Sequence, residues 1–201
     1  NSADTSETPT FAAATATVEE AASGDAAEAG DAELIAAGKQ AHAMSSGEAY
    51  GVTPVTPEVS YAAAKDHVQH AIDTIAPHDS EERFEGLGVT VIQDYGAFLS
   101  PTELQAGDAV IEARRFVIAT GSGPFVPPIP GLDTVPYLTN ETNFDQTRKP
   151  GHLIVIGGGP IGSELAQAFA RLGVEVTQVE MLPRLLSRED PEISALVEQR
   201  F

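Results

Sequence analysis

Three glycines and one acid carry the most chemistry in this sequence. Gly157, Gly159 and Gly162 lie in the run Gly157-Gly158-Gly159-Pro160-Ile161-Gly162, and Glu180 closes the stretch Val174 to Glu180. Glycines at this spacing suit a chain that turns tightly and then meets a phosphate. Gly157 permits the turn, Gly159 lets a diphosphate approach the backbone, and Gly162 lets a helix pack close to a sheet. The free N–H groups and positive dipole end of that helix would face the phosphates. Gly158, Pro160 and Ile161 complete the candidate binding turn. Glu180 stands where a carboxylate accepts a hydrogen bond from a ribose 2′-hydroxyl. It would repel a 2′-phosphate, so the pattern favours NAD over NADP.

The elements that must hold these residues flank them. Leu153 to Ile156 is a short apolar run, as in a parallel strand buried on both faces. Ile161 to Leu172 is helical, Gly173 stops it, and Val174 to Glu180 forms a second strand. A glycine-rich loop in some other α/β fold is the plainer reading, but here the strand, helix, stop and acid come in order. Asp190 and Pro191 then start a further helix as N-cap and first residue. A doubly wound sheet needs another strand after it, so the unit is expected to be cut short.

Length and charge bound the rest. The chain has 201 residues, enough for one large domain or two small ones. Its 30 acids against 11 bases give a net charge of −19. That balance argues against nucleic acid and anionic membranes as partners, since both need basic patches. No apolar run suits a membrane span and no signal peptide is visible, so a cytoplasmic location is expected. There is no cysteine. Within this sequence that excludes disulfides, thiolate catalysis and Cys-based metal sites.

Residues 1–33 are rich in alanine and acids and contain no Lys, Arg or His, with Phe11 and Val18 the only large apolar residues. They are expected to be disordered or loosely helical. An acidic interaction tail is the alternative, but it lacks the bulky apolar residues such a motif uses. Helices are expected over Leu34 to Met44 and Glu58 to Ala76. The second has a stripe of Tyr61, Ala64, Val68, Ala71 or Ile72, and Ile75, with Lys65, Asp66, Gln69 and Asp73 off it. His67 and His70 on that helix have no third ligand in view and read as a solvated face, so no metal site is assigned. Ser80 is the expected N-cap of a short helix reaching Gly86. Val89 to Gln93 is a candidate strand. Ala97–Ser100, Glu103–Gln105 and Ala109–Glu112 form an antiparallel meander. Arg115 to Ser122 reads as a buried strand entering a glycine turn, followed by a stiff Pro-rich connector to Gly131 and a helical turn over Asn140 to Phe144. His152 reads as a surface residue before the strand.

Taken together, these stretches resemble the class I pyridine nucleotide-disulfide oxidoreductases, flavoproteins that include dihydrolipoamide dehydrogenase and mercuric reductase. Three stretches carry the likeness: Arg115 to Ser122 with Pro127 to Gly131, Ile154 to Glu164, and Val176 to Asp190. The resemblance implies an α/β fold, with a partial FAD-binding domain containing the meander and the first half of a Rossmann-type NAD(P)-binding domain. It divides the chain into an acidic segment (1–33), a partial FAD-binding domain and connector (34–150), and a partial NAD(P)H-binding domain (151–201). It implies FAD as well as NAD. Ala119, Thr120 and Gly121 would lie against the FAD, and Glu164 would match an acid near the flavin. Without the family match, Glu164 is simply a first-turn carboxylate favoured by the helix dipole. The parent enzyme would be a homodimer using small-molecule cofactors.

The departures are as informative. No glycine motif for FAD precedes residue 34. The family's C-x-x-x-x-C and lysine correspond here to Ser23 to Ala32, which holds neither cysteine nor lysine. The chain alone is therefore expected to be catalytically silent, as a truncated or frame-shifted piece. Two functions remain open: an FAD- and NAD(P)H-dependent oxidoreductase passing hydride from NADH to flavin and on to a disulfide or similar acceptor, or a non-catalytic dinucleotide-binding module.

Overall fold

The computed structural model describes residues 18–201. Two compact units emerge. One contains Ile75–Gly123, the other Ala26–Thr74 and Pro124–Phe201.

The second unit holds helices α1 (Val18–Ser45, most of it in this unit), α2 (Tyr61–Ile75, all but its last residue), α4 (Pro160–Arg171) and α5 (Pro191–Glu198). Strands β4 (His152–Ile156) and β5 (Glu175–Val179) complete it. The helix expected from Leu34 thus begins sixteen residues earlier, at Val18. Residues 18–33, expected as disordered or loosely helical, are helical, and residues 1–17 lie outside the described residues. Packing accounts for the last turn before Leu34. Gly30 is buried so close to the Phe144 ring that a Cβ would fall 2.8 Å from it. Leu34, one turn on, is fully buried.

The core of this unit joins Leu34, Tyr61 and Val68 to Ala168, Phe169, Leu172 and Val174. Each large side chain buried this way contributes roughly 1.5–3 kcal/mol. Helix α2 starts at Tyr61 rather than Glu58, because Ser60 caps it: its hydroxyl accepts from the Ala63 N–H at 3.3 Å. Lys65, placed off the apolar stripe by periodicity, is buried. Its Nζ donates to the Phe144 carbonyl at 2.6 Å and lies 5.1 Å from the centre of the Phe144 ring. Burial pushes its pKa down, and nearby Asp145 partly offsets this. A long aliphatic stem that ends on a carbonyl accounts for its place among apolar neighbours.

The first unit carries the short helix α3 (Glu81–Gly86) and an antiparallel sheet of β1 (Gly96–Ser100), β2 (Glu103–Ala106) and β3 (Ala109–Glu112). The Ser80 hydroxyl accepts from the Arg83 N–H, the expected N-cap. Leu104 and Ala106 alternate inward on the central strand. Two expected strands are absent. Val89 to Gln93 and Arg115 to Ser122 have no ladder partner among the described residues, and Val117 and Ile118 are largely exposed. A strand exists only where neighbouring backbone groups pair with it, so apolar texture alone does not make one.

Candidate functional site

The glycine turn is built between two paired strands and a helix. β4 and β5 run parallel, with Ile156 opposite Val179, so the chain leaves β4 at Gly157 beside the position of Glu180. The ladder continues into the turn: the Gly157 N–H donates to the Val179 carbonyl at 2.9 Å. Gly157 has φ +123°, open to glycine and strained for other residues. The sheet is covered on one face only. Leu153 and Val176 pack on the core, whereas Ile154 and Ile156 are 60% and 52% exposed. The expectation of a β4 buried on both faces is corrected accordingly.

Helix α4 starts with Gly159 as N-cap and Pro160 in the first turn, where a missing N–H costs nothing. It ends in a Schellman arrangement. Val174 N–H reaches the Phe169 carbonyl, Gly173 N–H reaches Ala170, and Gly173 adopts φ +82°. Phe169 and Val174 are both buried there, which fixes the path into β5.

The glycines of the turn meet different environments, with a Cβ at Gly157, as at Gly159, finding nothing within 4 Å. A side chain at Gly162 would overlap the Gly157 carbonyl oxygen, so close contact with the turn itself requires glycine there. At Gly158 a Cβ would fall 2.7 Å from Leu185 Cδ2 and 2.8 Å from Glu180 Oε2. At Gly159 a Cβ would meet nothing within 4 Å. Open space therefore lies over Gly159, beside the N-terminal end of α4, where the N–H groups of Ile161 and Gly162 have no partner within the helix.

Glu180 is bound to this turn. Its Oε2 accepts from the Gly158 N–H at 2.5 Å and its Oε1 from the Leu182 N–H at 2.7 Å. Backbone N–H groups, Leu182 foremost and then Gly158, hold its carboxyl below the usual carboxylate value. The carboxylate is thus ionised and fixed, with lone pairs left for further donors. The loop beyond it is tied down as well. Leu186 N–H donates to the Gly158 carbonyl at 2.7 Å, and the buried Ser194 donates to the Leu186 carbonyl at 3.0 Å.

Glu164 is exposed on α4 beyond the first turn, which carries no acid. The dipole reading of that residue is corrected. Its charge acts on Asp31 on α1. Burial first, and Glu164 second, push the Asp31 pKa from 3.8 up to about 6. A buried Asp31 oxygen, Oδ1, has no hydrogen-bond partner among the described residues. Ala119, Thr120 and Gly121 belong to the other unit. They are exposed in unpaired chain, and Gly121 has φ +62°. His67 and His70 are exposed, with His67 Nε2 2.7 Å from Glu33 Oε2. Among the described residues no group of three or more His, Cys, Asp or Glu side chains is placed to hold a metal. His152 lies within β4 and pairs with Thr177 Oγ1 at 2.9 Å.

Sequence reasoning missed Gln178 and Ser163. Gln178 Nε2 lies 2.9 Å from the Gly157 carbonyl oxygen and 3.1 Å from Ser163 Oγ. The signal was present: a carboxamide at a strand position that faces the helix, where alternation calls for an apolar residue.

The family model for pyridine nucleotide-disulphide oxidoreductases matches residues 13–201. The chain belongs to this family. Mercuric reductase of Streptomyces lividans is 48% identical over 106 residues, covering 53% of this chain and 22% of that protein. Mercuric reductase of Lysinibacillus sphaericus is 32% identical over 166 residues, covering 83% and 30%. Dihydrolipoyl dehydrogenase 2, chloroplastic, of Arabidopsis thaliana is 36% identical over 115 residues, covering 57% and 20%. The chain thus spans less than a third of these curated relatives. A solved structure of the HOCl-induced flavoprotein disulfide reductase RclA from Escherichia coli matches with a TM-score of 0.70 at 20% identity, covering 94% of this chain and 46% of that one. That likeness concerns the fold, an α/β arrangement that suits a partial piece of an FAD- and NAD-binding protein. The family consists of FAD- and NAD(P)-dependent flavoprotein oxidoreductases. Among the described residues no helix is long and apolar enough to cross a membrane.

Proposed function

We propose that Gly157–Gly162 and Glu180 bind NAD, as part of a flavoprotein that passes hydride from NADH to FAD and on to a disulfide or similar acceptor. The observation that carries the nucleotide reading is the open space at Gly159, set against the crowding at Gly158 and Gly162. Gly158 and Gly162 are crowded by the turn and its loop, whereas the space over Gly159 is open to a diphosphate. There the N–H groups at the start of α4 would receive its negative charge. The fixed carboxylate of Glu180 would accept from ribose hydroxyls and oppose a 2′-phosphate. Gly158, Pro160 and Ile161 shape the same turn, and bound NADH would supply the hydride.

The FAD reading rests on the family. Ala119, Thr120 and Gly121 are its proposed contacts, and Glu164 the proposed acid near the flavin. The exposed chain around Ala119 forms no cradle, so no step is derived through FAD. Residues 34–150 are proposed as the FAD-side segment and 151–201 as the NAD side. A homodimeric parent and a cytoplasmic location belong to the same proposal. The chain has no cysteine. A thiol relay therefore cannot run through these residues, which favours the second reading, a non-catalytic dinucleotide-binding module.

Gly159→Val tests the nucleotide site. The residue sits at φ −75°, ψ −179°, open to any side chain, and its Cβ meets no neighbour. The variant should keep the thermal midpoint of the parent chain and lose NADH binding in calorimetry. Undiminished NADH binding would refute the site. A yellow, flavin-retaining protein on purification would support the oxidoreductase; a colourless protein that binds NADH would support the module.

A further inference from the structure

Gln178 stands on β5 at a position that faces α4, in alternation with Val176. The residue is half-buried, and a carboxamide there is costly unless its donors are used. Both donor contacts are made: Nε2 serves the Gly157 carbonyl at 2.9 Å and Ser163 Oγ at 3.1 Å. Ser163, itself buried, lies with its hydroxyl 3.5 Å from the Gly158 carbonyl. The acceptor Gln178 Oε1 is buried without a partner. A leucine or valine would remove that oxygen but also take the donor from the Gly157 carbonyl, so the glutamine is tied to the state of the turn.

The bonds converge on one group. Gly157 gives its N–H to Val179 and receives the Gln178 amide on its carbonyl, so β5 grips both polar ends of this residue. The carbonyl is thereby held beneath α4, in the space that only a glycine at 162 leaves open. Turned the other way, this carbonyl would present its negative end towards the open space at Gly159. We propose that Gln178, supported by Ser163, is a positioning residue of the glycine turn: it holds the Gly157 carbonyl away from the approach of the dinucleotide diphosphate and leaves that approach to the N–H groups at the start of α4. This rests on the nucleotide reading given above for the ligand, but the conformational part stands on the geometry of the free chain.

The test uses the full chain with Gln178→Met, which keeps length and removes the donors, and Ser163→Ala as a second variant. In the nucleotide-free protein, amide exchange at Gly157 and Gly158 should quicken by roughly tenfold in Q178M, while core amides such as Leu165 and the thermal midpoint hold. NADH affinity should fall by roughly fivefold to tenfold, and S163A should add little in the Q178M background, as expected for one coupled network. Unchanged exchange at Gly157 and Gly158 would overturn the inference. So would unchanged NADH affinity in a chain whose parent binds NADH. If the parent chain itself fails to bind NADH, the nucleotide reading falls, and the exchange measurement alone decides the role of Gln178.

Discussion

Replacing Asp31 with asparagine should stabilise the protein at neutral pH. Asp31 sits half-buried on α1 with one unpaired oxygen, and Glu164 on α4 adds a like charge. The two effects, burial foremost, raise its pKa from 3.8 to about 6. A carboxyl raised this way binds its proton more tightly when folded than when unfolded. Its favourable contribution is therefore complete below 3.8 and is lost as pH rises through about 6. Unscreened, the shift corresponds to about 3 kcal/mol. Because the group is about half exposed, screening by solvent reduces this to on the order of 1 kcal/mol. For a chain of this size that is a gain of roughly 2–4 °C in thermal midpoint. The assay is thermal unfolding of parent and D31N across pH, followed by circular dichroism. The gain should appear above about 6 and shrink steadily towards 3.8. An equal gain at both ends of that range would refute an electrostatic origin, and a loss at neutral pH would refute the assignment of Asp31 as a strained carboxylate.

Other changes probe other links. Leu34→Ala removes a fully buried side chain and should cost roughly 2–5 kcal/mol by chemical denaturation, a cost that a loosely attached α1 would not show. Gly162→Ala sets a methyl group against the Gly157 carbonyl oxygen; it should destabilise by roughly 1–3 kcal/mol and weaken NADH binding together, as the turn shifts. Glu180 has a lowered pKa, so its hold on the turn persists above the ordinary value of 4.5 and is lost only as pH falls below it. NADH affinity should accordingly change little between neutral pH and about 5, measured by fluorescence titration.

Much of this was legible from residue types. Gly173, Pro191 and Ser80 each mark an element boundary through a local backbone requirement, and the structure has those boundaries. The meander was legible because turn residues and alternation act over a few positions. What failed depended on partners distant in sequence. Val89 to Gln93 and Arg115 to Ser122 have strand texture but, among the described residues, no neighbour paired with them. The helical state of the segment just before Leu34 was hidden because Gly30 gains its place from Phe144, more than a hundred residues away, and not from its own propensity. At the candidate site, the glycine spacing and Glu180 were visible as pattern. The binding of Glu180 to the Gly158 N–H and the grip of Gln178 on Gly157 were not, since both are contacts across strands.

The nucleotide reading is tested most directly by titrating the chain with NADH and with NADPH in parallel by calorimetry. A fixed, ionised Glu180 beside an open Gly159 should give binding of NADH with NADPH weaker by tenfold or more, as roughly 1.4 kcal/mol of discrimination would produce. Equal affinities, or a preference for NADPH, would contradict it.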